Sequence, residues 1–237
     1  MFVKKLVLDI AFPPRCAVCD AVLPVGYDRG ACRSCMSKLS YVTEPQCLKC
    51  GKEIMSYEDE YCDDCRRETR SFVRCYPLLN YIPPVSDALA KLKYHGRAEY
   101  ADFYGRLMAE YFGNIYMNIP GACFVPVPVS RQRLHRRGYN QAELIALAIS
   151  EYTAVETRSD ILVRSKDTKA QKKLSRSDRA KNLRHAFEVK PGTDIPEAVI
   201  LVDDIYTTGA TLEACTQVLL RAGVRRVYAT TVCVGKV

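Results

Sequence analysis

The cysteines of this 237-residue chain are the first residues whose spacing predicts chemistry. Eight of the 12 cysteines lie before residue 66 and form four pairs, in each of which two residues separate the members. Such C-x-x-C pairs present two thiolates to one metal ion, and two pairs complete the four-sulfur shell of a structural zinc site. The pairs are Cys16 and Cys19, Cys32 and Cys35, Cys47 and Cys50, and Cys62 and Cys65.

The gaps between successive pairs, which are 12, 11 and 11 residues long, predict two tandem zinc ribbons. Sequential pairing puts one zinc ion on the first four cysteines and a second on the last four, although the spacing also permits an interleaved arrangement. Regular C-x-x-C pairs fit metal ligation in a reducing cytosol better than disulfides. Few apolar residues lie in this segment, so metal binding would supply its folding energy. We therefore expect residues 1–70 to form an N-terminal helix and a double zinc-ribbon domain.

A second group of reactive residues follows the apolar, β-branched segment at residues 199–202. Ligands of open α/β sheets bind beyond the carboxyl ends of the strands, so we expect Asp203 and Asp204 at the binding edge. The next turn can bring backbone N–H groups, hydroxyls and a helix dipole around a phosphate. Two carboxylates would repel a bare phosphate, which predicts ribose hydroxyls, Mg²⁺ or both between them. The turn consists of Thr207, Thr208, Gly209, Ala210 and Thr211.

Four arginines within seven residues follow a predicted strand that ends in prolines. A pyrophosphate group needs several charge-assisted contacts, and Pro128, Arg131 and Arg133 are the candidates to provide them. The same cluster is also typical of a solvated face or of a nucleic-acid contact. Asn140 is predicted to cap the helix that comes next.

The remaining pattern alternates strands with helices and predicts a mostly parallel sheet with helices on both faces. This α/β domain would occupy residues 71–237. Its predicted strands lie at residues 75–81, 122–127, 160–163, 186–189, 198–202 and 226–234, and its helices at 85–94, 100–112, 140–152 and 212–221.

Charge and hydropathy limit the classes of partner. The formal charge of +8 favours polyanions such as nucleotides, phosphorylated sugars or nucleic acid. No apolar run approaches the ~20 residues that span a bilayer, so no transmembrane segment is expected. Residues 1–14 are predicted to form an amphipathic helix that packs on the protein, with docking on a membrane surface as the alternative. We expect a cytoplasmic protein.

The acidic pair and the T-T-G-x-T turn resemble the thirteen-residue signature of the type I phosphoribosyltransferases. The resemblance implies that Asp203 and Asp204 are the acidic pair of the catalytic site and hold the ribose 2′ and 3′ hydroxyls. It implies that residues 207–211 hold the 5′-phosphate and that the arginine cluster lies in the pyrophosphate loop. The basic segment at residues 164–184, with nine lysines and arginines against two aspartates, matches the mobile lid of that family. A solvated loop and a DNA-contacting loop are its other interpretations.

Over nearly its whole length, the chain is similar to the ComF-type competence proteins. This resemblance implies a cytoplasmic, phosphoribosyltransferase-like protein with an N-terminal zinc module, linked to DNA uptake in natural transformation. The shared features are the cysteine pairs, K-Y-H-G at 93–96, P-V-P at 126–128, R-R-G-Y-N-Q at 136–141, Gln171 with Leu174, Arg179 with Asn182, and the Asp-Asp turn.

Two functional hypotheses follow. In the first, an enzyme displaces pyrophosphate from phosphoribosyl pyrophosphate with a nitrogen nucleophile, with Mg²⁺ on the pyrophosphate. Residues 75–96 and the zinc domain would recognise the acceptor, which no sequence feature identifies. In the second, a non-catalytic module retains the sugar-phosphate site to sense a metabolite. Its zinc ribbons and basic loops would then bind single-stranded DNA or proteins of the DNA-uptake machinery.

Overall fold

A computed structural model describes residues 13–165 and 186–235 of the chain. The helix predicted at residues 1–14 and the basic segment at 164–184 lie almost wholly outside the described residues. In chain order the elements are α1 (Arg33–Met36), α2 (Asp63–Arg67), β1 (Cys75–Asn80), α3 (Val85–Tyr94), α4 (Tyr100–Met117), β2 (Ala122–Pro126), α5 (Arg131–Arg137), α6 (Gln141–Thr153), β3 (Leu162–Arg164), β4 (Phe187–Val189), β5 (Ala198–Tyr206), α7 (Ala210–Arg221) and β6 (Arg226–Val234).

The central sheet has four parallel strands in the order β1-β6-β5-β2. A separate antiparallel pair is formed by β3 and β4. The predicted mixed α/β architecture is therefore confirmed. Within the described part of the chain, no helix combines the length and apolar composition that crossing a bilayer requires.

The buried strand β5 shows why helices cover both faces of the sheet. Because side chains alternate along a strand, Ala198, Ile200 and Val202 pack in one hydrophobic cluster with residues of α3, α4 and α6. Val199 and Leu201 pack in a second cluster with residues of α7 and of the β3–β4 pair. All five side chains are fully buried.

The segment between the two cysteine clusters covers the outer edge of β1. The Val42 N–H donates to the carbonyl of Leu78 at 3.0 Å, and the Asn80 N–H donates to the carbonyl of Ser40 at 2.7 Å. At the opposite edge, Thr157 forms a parallel bridge with Phe124 of β2. Short irregular segments thus pair with both outer strands of the sheet.

Three features differ from the sequence-based expectation. The strand predicted to end at residue 202 continues to Tyr206, because β6 remains its partner as far as the Tyr206–Val234 pair. Helix α4 continues to Met117 instead of ending at residue 112. The arginine cluster, expected in a loop, forms α5, whose N-terminus is capped by the Ser130 hydroxyl accepting from the Arg133 N–H at 3.3 Å.

Helices α4 and α6 approach each other closely at Gly105. A methyl group at this position would collide with the Ala148 side chain and would lie 3.0 Å from the carbonyl oxygen of Ile145. Gly113 lies about two helical turns further along α4. It has room for a methyl group, which would meet the Thr153 side chain at 3.4 Å. The two glycines therefore form a matched pair for measuring the contact.

We expect Gly105→Ala to lower the free energy of unfolding by about 1–3 kcal/mol, because the overpacked helices must move apart. Gly113→Ala should leave it unchanged or raise it by up to about 1 kcal/mol, since alanine is the better helix former. Urea unfolding of both variants measures the difference. Equal stability of the two variants would contradict the close contact.

Candidate functional site

The eight paired cysteines form two separate clusters. Within each cluster, the four Sγ atoms all lie within 4.8 Å of one another. The second pair of each cluster lies on a one-turn helix: Cys32 and Cys62 immediately precede α1 and α2, which contain Cys35 and Cys65. The clusters are Cys16, Cys19, Cys32 and Cys35, and Cys47, Cys50, Cys62 and Cys65. The sequential pairing, and not the interleaved one, is what the structure contains.

The sulfur separations fit tetrahedral zinc. With Zn–S bonds of about 2.3 Å, a tetrahedral site separates its sulfurs by about 3.8 Å. The Cys16–Cys32, Cys19–Cys32 and Cys50–Cys62 Sγ atoms are 3.9, 4.0 and 3.6 Å apart. A disulfide needs about 2.05 Å, and all of these cysteines are free thiols. Each cluster uses four sulfurs, as closed structural zinc sites do.

The first zinc module, residues 13–39, contacts the chain before and after Lys93. The Lys91 ammonium donates to the carbonyl of Val18 at 3.2 Å. Arg97, just beyond α3, donates to the Asp20 carboxylate at 3.2 Å, and the Tyr100 hydroxyl donates to the same carboxylate. These contacts fix the end of α3 that carries Lys93.

The second zinc module, residues 43–67, docks on β1. The backbone of Lys49 accepts the Cys75 N–H at 2.8 Å, and the Lys49 ammonium donates to the carbonyl of Phe72 at 2.9 Å. Gly51 lies so close to β1 that a methyl group there would be 2.7 Å from the Cys75 carbonyl oxygen. The Lys52 ammonium lies 5.8 Å from the centre of the Tyr206 ring, at the end of β5.

The two predicted carboxylates lie within β5 and point to opposite faces of the sheet. Asp203 pairs through its backbone with Thr231 of β6, so its side chain shares the face of α7. Asp204, which is buried, points toward α3 and forms an ion pair with Lys93. The two carboxyl groups nevertheless interact, and the Asp203 carboxylate also accepts from the Asp204 N–H at 2.8 Å.

The turn after β5 has the form of an anion-binding site. Gly209 precedes α7 with a φ of +74°, and a methyl group there would lie 2.7 Å from Cζ of the Tyr206 ring. Only glycine fits this left-handed, crowded position. The first N–H groups of the 12-residue helix α7 have no partners within the helix and face the turn. Thr207 and Thr208 add hydroxyls, and Thr211 already belongs to the helix.

Residues of the linker between the zinc modules and the sheet hold this turn in place. The buried Arg70 guanidinium donates to the carbonyl of Thr208 at 2.8 Å and to Glu68 at 2.7 Å. Glu213, in the first turn of α7, accepts from the Ser71 N–H at 2.7 Å and from the Ser71 hydroxyl at 2.8 Å. The sequence alone assigned no role to Arg70 or Ser71.

Lys93 and Arg137 supply positive charge on the Asp204 face. The sequence placed Arg137 in the arginine cluster without naming it as a candidate, and it assigned Lys93 no individual role. Arg137 is half-buried, donates to Gln141 at 2.6 Å and lies 5.1 Å from the centre of the Tyr94 ring. Burial lowers the pKa of Arg137 below its ordinary value, while the charges of Tyr94 and Asp204 oppose that effect. The predicted Arg131 and Arg133 are exposed on α5.

The R-R-G-Y-N-Q and K-Y-H-G motifs meet at this point. The Tyr139 hydroxyl donates to the carbonyl of Leu92 at 2.6 Å, which fixes the backbone next to Lys93. The predicted cap, Asn140, accepts from the Ala142 N–H at 3.1 Å and donates to the carbonyl of Val127 at 3.1 Å. The motif thus joins the end of β2 to α3. Two motifs noted separately in the sequence form one wall.

Asp203 is in an unfavourable environment for a charged carboxyl group. Burial raises its pKa well above the ordinary range, and the negative charge of Asp204 raises it further, while Lys93 acts in the opposite direction. Hydroxyl donors or a cation at this carboxylate would stabilise its charged form. The site is therefore suited to a ligand that brings such donors.

Comparison with known proteins supplies the family. Residues 7–66 match the family model of the double zinc ribbon domain. Competence protein F of Haemophilus influenzae is 30% identical over 90% of this chain and 93% of its own length. The DNA utilization protein YhgH of Escherichia coli is 28% identical over 94% and 98% of the two chains. Competence protein ComFC of Bacillus subtilis is 28% identical over 83% and 80%.

The alignment with the Escherichia coli protein covers 94% of this chain, so it includes both cysteine clusters and the α/β sheet. The Haemophilus influenzae protein is 30% identical over 219 residues, far more than the eight zinc ligands. The chain belongs to the ComF-type competence protein family.

Proposed function

We propose that this protein binds phosphoribosyl pyrophosphate at the carboxyl end of β5 and transfers its ribosyl 5-phosphate group to a nitrogen nucleophile. The observation that carries the proposal is the junction of an acidic pair with an anion-binding turn. Asp203 and Asp204 lie at the end of a buried parallel strand, and the turn at residues 207–209 leads into α7. A sugar that carries a phosphate satisfies both halves of such a site.

Each part of the ligand has a matching group. The N-terminus of α7 and the Thr207 and Thr208 hydroxyls would bind the 5′-phosphate. Asp203 and Asp204 would accept hydrogen bonds from the ribose hydroxyls, which compensates the cost of shielding the Asp203 carboxylate from water. Lys93 and Arg137 would bind the pyrophosphate, with Pro128, Arg131 and Arg133 as the predicted residues at the outer end.

Catalysis in this proposal rests on positioning and charge. Asp204 would stabilise positive charge that develops on the ribose as the bond to pyrophosphate breaks, and Lys93 and Arg137 would stabilise the departing negative charge. Mg²⁺ prefers oxygen ligands such as the carboxylates of Asp203 and Asp204 and the oxygens of pyrophosphate. When bound, it would neutralise part of the pyrophosphate charge. Cysteine pairs grouped for metal ligation, which is typical of reducing compartments, support a cytoplasmic location.

The relatives' names connect the activity to DNA. They are called competence proteins and DNA utilization proteins, and we propose that this protein serves DNA uptake with partners of that machinery. A second candidate function, handling of single-stranded DNA, is supported by the exposed Tyr94, whose ring centre lies 5.7 Å from Arg136 and 5.1 Å from Arg137. Stacked aromatic and arginine side chains are typical of single-strand contacts.

Calorimetry with phosphoribosyl pyrophosphate and Mg²⁺ tests the binding site. Replacement of both carboxylates, Asp203→Asn with Asp204→Asn, should weaken binding by about 100-fold or more, because charge-assisted hydrogen bonds contribute about 1.5–3 kcal/mol each. Lys93→Met should weaken it by about 10-fold for the same reason. The control is Asp102→Asn, an exposed acid on α4.

Undiminished affinity of the double variant would refute the site. Release of pyrophosphate, measured with nitrogen bases and with single-stranded DNA as acceptors, separates the two functions. Binding without release in any mixture would support the non-catalytic module and overturn the transferase.

The raised pKa of Asp203 predicts a pH-dependent stability gain in Asp203→Asn. The folded protein favours the neutral carboxyl group, so this group's stabilising contribution is full below the unfolded pKa of about 3.9 and is lost as the pH rises through the higher folded value. Asparagine never ionises. Without ligand, the thermal midpoint of the variant should exceed that of the wild type at pH 8, and the difference should shrink toward pH 4. A difference that stays constant over this range would contradict the burial of the charge.

Zinc analysis tests the two modules. The reduced protein should contain two zinc ions, and Cys19→Ser or Cys47→Ser should each remove one. Each variant should also bind phosphoribosyl pyrophosphate more weakly, because one module holds α3 and the other holds the linker to the turn. Cys123→Ser, a buried residue of β2 in neither cluster, is the control and should retain both ions. Full zinc content in either cluster variant would disprove the assigned ligands.

A further inference from the structure

A cavity of about 510 Å³ lies between the second zinc module and the sheet. Its floor is formed by Asn80, Val234 and Gly235, at the carboxyl ends of β1 and β6. Its walls come from residues 43–55 and 62–67 of the zinc module. The volume falls within the range of about 300–1,000 Å³ that is usual for small-molecule sites. Nothing in the proposed function so far occupies it.

The cavity adjoins the anion-binding turn. The Gly235 N–H donates to the carbonyl of Tyr206 at 2.8 Å. A methyl group on Gly235 would lie 3.8 Å from the Cγ2 atom of Thr207, in the turn itself. A molecule in the cavity and a sugar phosphate on the turn would therefore be neighbours.

The lining of the cavity is acidic, although the chain as a whole carries a charge of +8. The Glu53 carboxylate is held in a fixed position, since its Oε1 atom accepts from the Thr43 N–H at 2.9 Å and from the Asn80 amide at 3.0 Å. Asp64 pairs with Lys52 at 3.0 Å and with Arg67 at 3.2 Å. The lining thus contains four carboxylates and two cations. The carboxylates belong to Glu44, Glu53, Asp63 and Asp64, and the cations to Lys52 and Arg67.

We propose that this cavity binds the acceptor of the transfer reaction and that the acceptor is a small molecule bearing a positively charged amine or amidine group. Acidic walls attract such a group and repel carboxylate-bearing acceptors. The role of this molecule as the acceptor depends on the proposed transferase function. The preference of the cavity for cations rests on its lining alone.

The reaction that this placement implies is a nucleophilic substitution at C1′ of the ribose. A second, neutral nitrogen of the acceptor donates its lone pair to the ribose C1′ atom, and a C–N bond forms. The bond between C1′ and the pyrophosphate oxygen breaks, and its electron pair leaves with pyrophosphate. The proton that the acceptor nitrogen loses passes to solvent. The cationic group stays unchanged on the carboxylates.

Three probes of equal shape and different charge test the cavity: benzamidine, benzamide and benzoate. We expect saturable binding of benzamidine to the full-length zinc-loaded protein, measured by NMR titration, and at least about fivefold weaker binding of benzamide and benzoate. Glu53→Gln keeps an oxygen for the Thr43 and Asn80 donors but removes the charge. Together with Asp63→Asn, it should weaken benzamidine binding about fivefold per carboxylate. Glu58→Gln, an exposed acid of the same module outside the cavity, is the matched control.

Binding of phosphoribosyl pyrophosphate and zinc content, measured on the same samples, separate the outcomes. Normal zinc content and sugar-phosphate binding, with loss of benzamidine affinity only in the Glu53 and Asp63 variants, support the proposal. Equal affinity for the three probes, or an unchanged benzamidine affinity in these variants, overturns it and leaves the transferase site standing. Charge-dependent benzamidine binding without any sugar-phosphate binding would leave a cation site and overturn its role as the acceptor site.

Discussion

The pairing of β5 on both sides is the constraint on which the rest of the structure depends. Because β2 and β6 flank it, every side chain of β5 must point to one of the two faces of the sheet. The same strand therefore builds both hydrophobic clusters and then, without a break, carries Asp203 and Asp204 out to its end. Its last residue, Tyr206, supports the turn through its contact with Gly209. One continuous strand therefore contributes to both the hydrophobic core and the candidate site.

This arrangement explains why the charged form of Asp203 is unfavourable without a ligand. A carboxylate that continues the alternation of a buried strand remains partly shielded from water, and Asp203 shows the effect in its raised pKa. The ion pair between Asp204 and Lys93 compensates the other carboxylate. One face of the strand end is thus neutralised within the protein, while the other lacks such a pairing among the interactions described. A ligand with hydroxyl groups would supply what that second face needs.

The zinc modules divide the task of positioning the site. The first accepts hydrogen bonds from Lys91 and Arg97, which lie on either side of Lys93. The second adjoins the linker in which Arg70 holds the carbonyl of Thr208. The first also packs Val18, Leu23 and Leu39 into the hydrophobic cluster that it shares with α3 and α4, and metal binding would add to the stability of both modules. The modules are therefore parts of the sugar-phosphate site in the proposed function and not appendages to it.

The sequence predicted what depends on local pattern. Cysteine spacing predicted both cysteine clusters, and the alternation of strands with helices predicted the parallel sheet. Asn140 was recognised as a helix cap because capping acts over two residues. The extension of β5 to Tyr206 depends on pairing with β6, which no local pattern records. The contact between Arg70 and Thr208 spans 138 residues of sequence. Helix α5 was missed because its arginines and histidine lack an apolar stripe, and its cap is a single serine.

The pairing of residues 40–42 with β1 has a consequence for how the edge of the sheet meets other molecules. An uncovered outer strand presents unpaired N–H and carbonyl groups, which recruit strands from other molecules and lead to aggregation. Here the connection between the two zinc modules occupies that edge. Truncating the chain to its α/β half would remove the cover along with the metal sites and leave β1 open to other chains. The zinc region thus covers an edge of the sheet in addition to positioning the site.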